Sequence, residues 1–548
     1  MTGLLTDRMV MKNSSSDHPR VRLWFSAALL ACLLTIISAH GQSIVQSWEG
    51  IRGPDPSGTV GPPPDPHGAP GPAGVIATVN LGISYYTKSG ALIWGPTNLP
   101  TFFTGNTGTG NQNADPRTIF DQVSRRFFVI MQENHNSTFW LNVAVSRNSD
   151  PRSSGAADWI TYRLNATKLA AANAAGGVNY GGDYPGLAVD EQALYVTYNL
   201  FPLNASGVLA GSATNAVLLI VNKAQLIAGN GTLASLEFNA STLQPATPRG
   251  QSAGNVVYLV ANGSSSNLNL FAVNDPQGAR TVAAQIIPIN DVGAGPTNKA
   301  PQLGSAFPID TLAGRMQGNA TLANGDLWCC MTRGQPAGPA LAAYCRLQLN
   351  GWPFSGNNPA LGEEGTVGAL TDWNYLPSIG ANLAGDVAIT WTRSSSTRAA
   401  AMMVAWRTAN VSTFGAPNVV RTSQTPAIDL DNTGTFSRWG DYFSVWPDPI
   451  DGSLWADSEW TRADTGTWST WWAQISMPGR DFYVNRNAPS PGQDGSLAHP
   501  YKTVDAAHAY ITSGTLHIFG GTYNERLTLN KAVTLEAYSG GPVTIGAP

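Results

Sequence analysis

Gly440-Asp441-Tyr442-Phe443-Ser444-Val445-Trp446-Pro447-Asp448, running on to Leu454-Trp455-Ala456, is the stretch whose reading decides the fold. An Asp stands at a strand entrance, a short apolar strand follows, a turn carries a second Asp, and another strand begins. The same order returns in Ala114-Asp115-Pro116-Arg117-Thr118-Ile119-Phe120-Asp121 before Phe127-Phe128-Val129-Ile130. It returns again in Gly182-Asp183-Tyr184-Pro185-Gly186-Leu187-Ala188-Val189-Asp190 before Leu194-Tyr195-Val196-Thr197. A unit recurring roughly every 50 to 70 residues is too small to bury both faces of its own sheet, so copies must pack on one another. A closed ring of four-stranded blades is the economical arrangement. The fold class expected is therefore all-β, a β-propeller of about seven blades.

Opening strands read near Asp65-Pro66, Asp115-Pro116, Asp183-Tyr184, Pro248-Arg249, Met316-Gln317, Leu376-Pro377 and Asp441-Tyr442. Each precedes a β-branched or aromatic run bounded by turn residues, such as Val256-Val257-Tyr258-Leu259-Val260 or Val387-Ala388-Ile389-Thr390-Trp391. The spacing gives about 60 residues per blade, and a count of six or eight also fits. Ser43-Ile44-Val45-Gln46-Ser47-Trp48 is the candidate to complete the blade that begins at Asp441, a latch that removes the free edges of an open ring.

Charged residues make up 12% of the 548, and net charge is -4 with a pI near 6.0. With no basic stripe, nucleic acid is an unexpected partner. Arg20 and Arg22 precede an apolar run from Leu23 to Ile37, and Ser38-Ala39-His40-Gly41-Gln42 places small residues before a cut after Gly41. That is the pattern of a secretory signal peptide, and the run is shorter than the roughly 20 residues that span a bilayer. The chain is expected to be secreted or at the cell surface, with no membrane span after cleavage. Beyond the leader lie Cys329, Cys330 and Cys345, on two runs that read as a hairpin. Cys345 can face only one of the adjacent pair, whose side chains point to opposite faces. These three are the disulfide candidates.

At Asp481 the texture changes to short strands in quick succession: Phe482-Tyr483-Val484-Asn485, Thr515-Leu516-His517-Ile518-Phe519, Leu527-Thr528-Leu529, Val533-Thr534-Leu535-Glu536-Ala537 and Val543-Thr544-Ile545. An amphipathic helix is expected within Pro500–Ile511. Pro500-Tyr501-Lys502-Thr503-Val504-Asp505-Ala506-Ala507 and Gly520-Gly521-Thr522-Tyr523-Asn524-Glu525 resemble the N-terminal cap and first coils of right-handed parallel β-helices of the pectate-lyase-like superfamily. That resemblance covers about 68 residues and implies a fold without an activity, since the superfamily's catalytic residues sit on later coils. A solenoid wants about three or more coils, so the segment reads as the start of a truncated domain. Ser47-Trp48-Glu49-Gly50-Ile51, Pro64-Asp65-Pro66-His67-Gly68 and Arg438-Trp439-Gly440-Asp441-Tyr442 resemble secreted bacterial β-propellers of poorly defined function, which offer no catalytic residues to carry over. The expected organisation is a signal peptide region at 1–41, a β-propeller at 42–478 and the β-helix start at 481–548.

Several motifs compete for chemistry. Gly250-Gln251-Ser252-Ala253-Gly254 matches a nucleophile elbow, but a strand follows where the elbow needs a helix. Asp429-Leu430-Asp431-Asn432-Thr433-Gly434 has the alternating oxygens of a calcium loop, making Asp429 and Asp431 candidate ligands of a structural calcium, although Gly440 occupies the position of the bidentate acid. No other cofactor is expected. The histidines show no metal-ligand spacing and read as surface or turn residues. The set with both geometry and chemistry is at the blade entrances. Inner strands of a propeller line one channel, so Asp183, Tyr184, Arg438, Trp439, Asp441 and Tyr442 converge as a candidate ligand site, beside Asp65 and Asp115. An Asp before a strand is equally a turn device that holds backbone amides. With no nucleophile and base pair in view, the function expected is a non-enzymatic extracellular binding or adhesion protein recognising carbohydrate or a cell-surface partner. The alternative is a polysaccharide-active enzyme, a glycoside hydrolase or lyase, using channel carboxylates such as Asp183 and Asp441.

Overall fold

The structure is a computed structural model and describes residues 9–11, 43–53, 63–103, 112–169, 179–204, 206–249, 255–264, 266–290, 299–312, 314–334, 338–409, 411–430, 434–464, 467–477, 480–488, 493, 495, 497, 500–511, 513–529 and 532–546. Among the described residues strands account for 57% and helices for only a few per cent, so the protein is all-β. It divides into two compact units, one comprising Gln46–Pro447 with Leu454–Gln474, the other Met1–Val45, Asp448–Ser453 and Ile475–Pro548.

In the larger unit antiparallel sheets follow one another along the chain. The first holds His67–Pro70, Gly74–Val79, Gly82–Thr87 and Leu92–Asn98, the second Gln112–Asp121, Arg126–His135, Thr138–Ser146 and Trp159–Asn165. The third runs from Asn179–Val189 through Ala193–Pro202 and Asn215–Asn222 to Leu233–Phe238, with Lys168–Leu169 added outside its first strand. Next comes an eight-stranded sheet. Its two antiparallel halves begin at Ser241–Pro248 and Met316–Ala323, and these two strands pair in parallel, Ala246 with Ala320. Trp373–Ala381 opens the following sheet and Val445–Pro447 the last.

The opening strands pack side by side in chain order, and Val445–Pro447 returns to pack on His67–Pro70, closing the arrangement as a β-propeller. Each sheet is sandwiched between neighbours, which explains why its middle strands are buried on both faces and read as continuous apolar runs: Gly74–Val79 and Phe127–Asn134 are buried throughout. Ser43–Arg52 pairs beside Trp468–Ser476 as the fourth strand of the last sheet, where the latch was expected. Trp48 stacks on Trp472, with centroids 5.9 Å apart and planes 22° apart, and touches Tyr86 of the first sheet at 5.0 Å.

The opening strands share one irregularity. Asp65, Asp115, Tyr184, Thr242 and Leu376 have φ of 43°, 56°, 59°, 50° and 52°. Four of them lie where the ladder register shifts, as at Ala114/Arg117, Asp183/Gly186, Ser241/Gln244 and Tyr375/Ser378. These are β-bulges, which bend the strand and re-aim the neighbouring side chains. In the fourth copy the bulge is at Thr242, so the opening strand lies seven residues earlier in its course than the Pro248-Arg249 reading implied.

In the smaller unit Arg480–Val484, Ser513–Ile518 and Ala532–Ala537 form a parallel sheet, Gly521–Tyr523 pairs in parallel with Val543–Ile545, and Met9–Met11 pairs antiparallel to Val543–Ile545. The helix is Val504–Tyr510, capped by the Thr503 hydroxyl on the Ala506 amide. The strand expected at Leu527–Leu529 is not one; Gly521–Tyr523 takes that place instead, where Tyr523 is buried. Among the described residues no helix is long and apolar enough to cross a membrane.

Candidate functional site

The bulges create the site. A bulge turns a backbone amide out of its own ladder, and a buried amide without a partner costs about 1–3 kcal/mol. Neighbouring sheets supply the partners. Asp115 N donates to Asn80 Oδ1 (2.8 Å), Tyr184 N to Asp115 Oδ2 (3.0 Å) and Thr242 N to Asn199 Oδ1 (2.7 Å). Met316 N donates to Thr242 Oγ1 (3.2 Å), Leu376 N to Thr332 Oγ1 (2.9 Å) and Asp441 N to Asp65 Oδ1 (2.6 Å). Part of the entrance set is thus a stitch between sheets.

Tyrosines fill the centre. Tyr184 Oη donates to Met316 O (3.0 Å) and Tyr442 Oη to Pro116 O (3.1 Å), each reaching across from its own sheet, and their rings meet edge to face at 6.2 Å. The Arg117 guanidinium lies 3.3 Å from the Tyr442 centroid and is wholly buried. His67, expected at a surface or turn, is buried as well: its Nδ1 accepts from Thr118 N at 3.0 Å, so Nε2 carries the proton toward the Asn319 amide at 2.9 Å. Burial lowers its pKa well below the usual value, aided by the charge of Arg117.

Against this floor lie Asp183 and Asp441, both partly exposed. Asp441 is ion-paired to Arg438 at 2.7 Å, with Arg315 at 3.7 Å, and Arg315 sits 5.1 Å over the Tyr184 ring. Asp183 has no arginine at that distance among the described residues; Gln132 Nε2 approaches its Oδ1 at 3.4 Å. Its carboxyl is raised, by burial first and then by the charge of Asp441. Burial also pushes Asp115 up to about 8, with Asp183 and Asp441 adding, and holds Asp65 well above the carboxylate range for the same kinds of reason. Four carboxyl groups thus share one region, but only Asp441 is ion-paired to two arginines, while burial raises the other three. Environments that push neighbouring carboxyls apart separate an acid from a carboxylate.

Of the predicted site residues, Asp183, Arg438 and Asp441 are brought together with part of their surface exposed. Tyr184, Trp439 and Tyr442 are buried at 1% exposure or less; the Trp439 indole donates to Thr392 Oγ1 at 3.0 Å. Arg117, Arg315, Asn80 and Glu459 were not singled out in the sequence. Glu459 is wholly buried and its pKa raised well above normal, chiefly by burial. Burial raises Asp429 to about 6, whereas Asp431 lies outside the described residues, as does the Gly250–Gly254 elbow with Ser252. Among the described residues no group of three or more His, Cys, Asp or Glu side chains could hold a metal ion. Cys329, Cys330 and Cys345 are all free and buried.

No protein-family model matches the chain, and no curated protein does. Solved structures do match in fold. An ACO/RPE65 chimera has a TM-score of 0.36 at 10% identity, with 65% of this chain and 71% of that one covered. The NanB sialidase of Streptococcus pneumoniae has 0.39 at 9%, covering 74% and 75%. The catalytic domain of a Coprinopsis cinerea GH62 α-L-arabinofuranosidase has 0.28 at 9%, covering 56% and 94%. The sialidase and the arabinofuranosidase are enzymes by name, which runs against the expectation of a non-enzymatic binding or adhesion protein, and that expectation is withdrawn. The absence of a hydroxyl or thiol nucleophile beside a base does not exclude chemistry, because in a carboxyl pair one member can itself serve as nucleophile or base. At these scores the likeness transfers no residue and no substrate.

Proposed function

We propose that the protein is a glycoside hydrolase acting on a carbohydrate at the partly exposed end of the ring, with Asp183 as general acid and Asp441 as the charged carboxylate. The observation that carries this is the asymmetry between the two: Asp183 has a raised pKa, and Asp441 is ion-paired to Arg438 and Arg315. Glycosidic cleavage requires that division, one carboxyl to protonate the leaving oxygen and one to stabilise or attack the oxocarbenium-like centre. Arg438 and Arg315 fix the orientation of Asp441, and the Tyr184 and Tyr442 rings form an unyielding floor beneath it. The test is release of reducing sugar from a panel of polysaccharides and aryl glycosides. Asp441→Asn should abolish turnover on every substrate and Asp183→Asn should lower it steeply on the polysaccharides, neither change unfolding the protein. Turnover unaffected by both would refute the assignment, and an unsaturated, ultraviolet-absorbing product would replace hydrolysis with a lyase reaction.

The architecture around this site is read as a seven-bladed ring spanning residues 42–478. The eight-stranded sheet counts as two blades, a reading supported by its two antiparallel four-stranded halves. Residues 481–548 are read as the opening of a right-handed parallel β-helix, supported by the two sets of parallel pairs. The leader at 1–41 would export the enzyme to an extracellular polysaccharide.

A further inference from the structure

We propose that Cys329 and Cys345 form a structural disulfide when the chain folds in an oxidising compartment, and that Cys330 remains a thiol. The strands Asp326–Arg333 and Leu341–Gln348 are antiparallel neighbours, and their register sets Cys329 directly opposite Cys345. Directly opposed residues in such a ladder have Cα atoms about 4.5 or 5.5 Å apart, according to the kind of pair, and both distances fall inside the disulfide range. The two side chains face the same apolar core, with Val256, Leu270, Leu327 and Leu347, at 1% exposure or less. The interaction with Cys345 is the largest cause of the raised pKa of Cys329, ahead of burial, in keeping with that register.

Cys330 points the other way. It joins the core on the opposite face of the sheet, with Trp328, Ile379 and Trp391. Its Sγ donates to Gln317 O at 3.1 Å and Pro377 O at 3.3 Å, so it ties its own sheet to the next opening strand as a thiol. Alternation of side chains along a strand makes the choice between the adjacent cysteines unambiguous. The bond forms by thiol–disulfide exchange during folding. The Cys329 thiolate attacks a small-molecule or oxidoreductase disulfide, releasing one thiol. The Cys345 thiolate then displaces the second, so that Sγ–Sγ forms while the reagent disulfide is reduced to two thiols. Burial after folding then protects the product from reductants.

The test uses the full chain produced in a bacterial periplasm, denatured in alkylating agent without reduction and mapped by peptide mass. The peptides containing Cys329-Cys330 and Cys345 should be recovered joined, with one alkylated cysteine between them. Cys330→Ala should retain the joined peptides and Cys329→Ala should lose them. Reducing the denatured protein and refolding it with the thiols kept reduced should lower the melting temperature by several degrees. Recovery of Cys345 alkylated, or a link that survives Cys329→Ala and disappears in Cys330→Ala, would overturn the proposal. If a variant fails to fold, fragment ions that break the wild-type joined peptide between Cys329 and Cys330 show which of the two carries the alkyl group.

Discussion

A carboxyl oxygen of Asp65 accepts the backbone amide of Asp441 at 2.6 Å, across 376 positions of sequence. It joins the opening strand of the first sheet to that of the last, where the ring must close. Asp65 also takes a positive φ of 43°, which Asp and Asn tolerate better than other side chains. Asp65→Asn keeps both an acceptor and that tolerance, and should cost little. Asp65→Ala orphans the Asp441 amide and places an alanine at a positive φ, and should cost about 1–3 kcal/mol in chemical denaturation. Equal stability of the two variants would show that the stitch contributes nothing.

The buried carboxyls predict a direction of pH dependence. Asp115 is pushed up to about 8 and Asp457 to about 7, both chiefly by burial, and Asp65 and Asp183 are raised as well. In the unfolded chain these groups titrate near 3.9. The folded state therefore holds protons that the unfolded state releases, and their contribution, complete below about pH 4, is lost as pH rises toward about 8. Melting temperature should be higher at pH 5 than at pH 8.5, and Asp115→Asn should flatten that slope. A melting temperature that rises with pH over this range would contradict the assignment.

Closure of the ring is tested at Trp48. Its indole donates to Lys88 O at 2.9 Å and lies between Trp472 of its own sheet and Tyr86 of the next. Trp48→Ala removes a buried aromatic contact and should destabilise the protein by about 3–5 kcal/mol. Removing residues 43–51 altogether exposes the edge of Trp468–Ser476 and should lower the melting temperature of the whole ring and promote association. A truncated protein that melts unchanged as a monomer would show that the strand is dispensable.

How much of this was legible follows from which residues act locally. The second strands, such as Val387–Ser395 and Asp326–Arg333, were readable because burial on both faces leaves an uninterrupted β-branched and aromatic run. The strand entrances were readable at Asp65-Pro66, Asp115-Pro116 and Asp183-Tyr184, where Asp, Tyr and Pro mark the turn, though not the bulges within them. At Thr242, which keeps the conformation without Asp or Pro, the entrance was not. Asn80, Asn199 and Thr332 carried no signal, because each holds an amide of the next sheet and nothing in its own neighbourhood requires it. The acids themselves were found, but not the division between them. That division depends on the burial of Asp183 and on Arg315, which approaches Asp441 from another part of the ring.

The final prediction separates Asp183 from Asp441 in mechanism. A general acid works only while protonated, and burial with the charge of Asp441 raises the pKa of Asp183, so activity should fall as Asp183 ionises, above the ordinary carboxylate range. Asp183→Asn should lower kcat by about 10²–10⁴-fold on natural glycosides, whose leaving alkoxide needs a proton. On dinitrophenyl glycosides, whose leaving group departs unaided, Asp183→Asn should retain most of its turnover and lose the alkaline limb. Asp441→Asn should fail on both substrates, because the reacting carbon loses its carboxylate whatever the leaving group. Measuring pH profiles for both variants on both substrate classes decides the roles: a leaving-group rescue seen for Asp441→Asn and not for Asp183→Asn would reverse them.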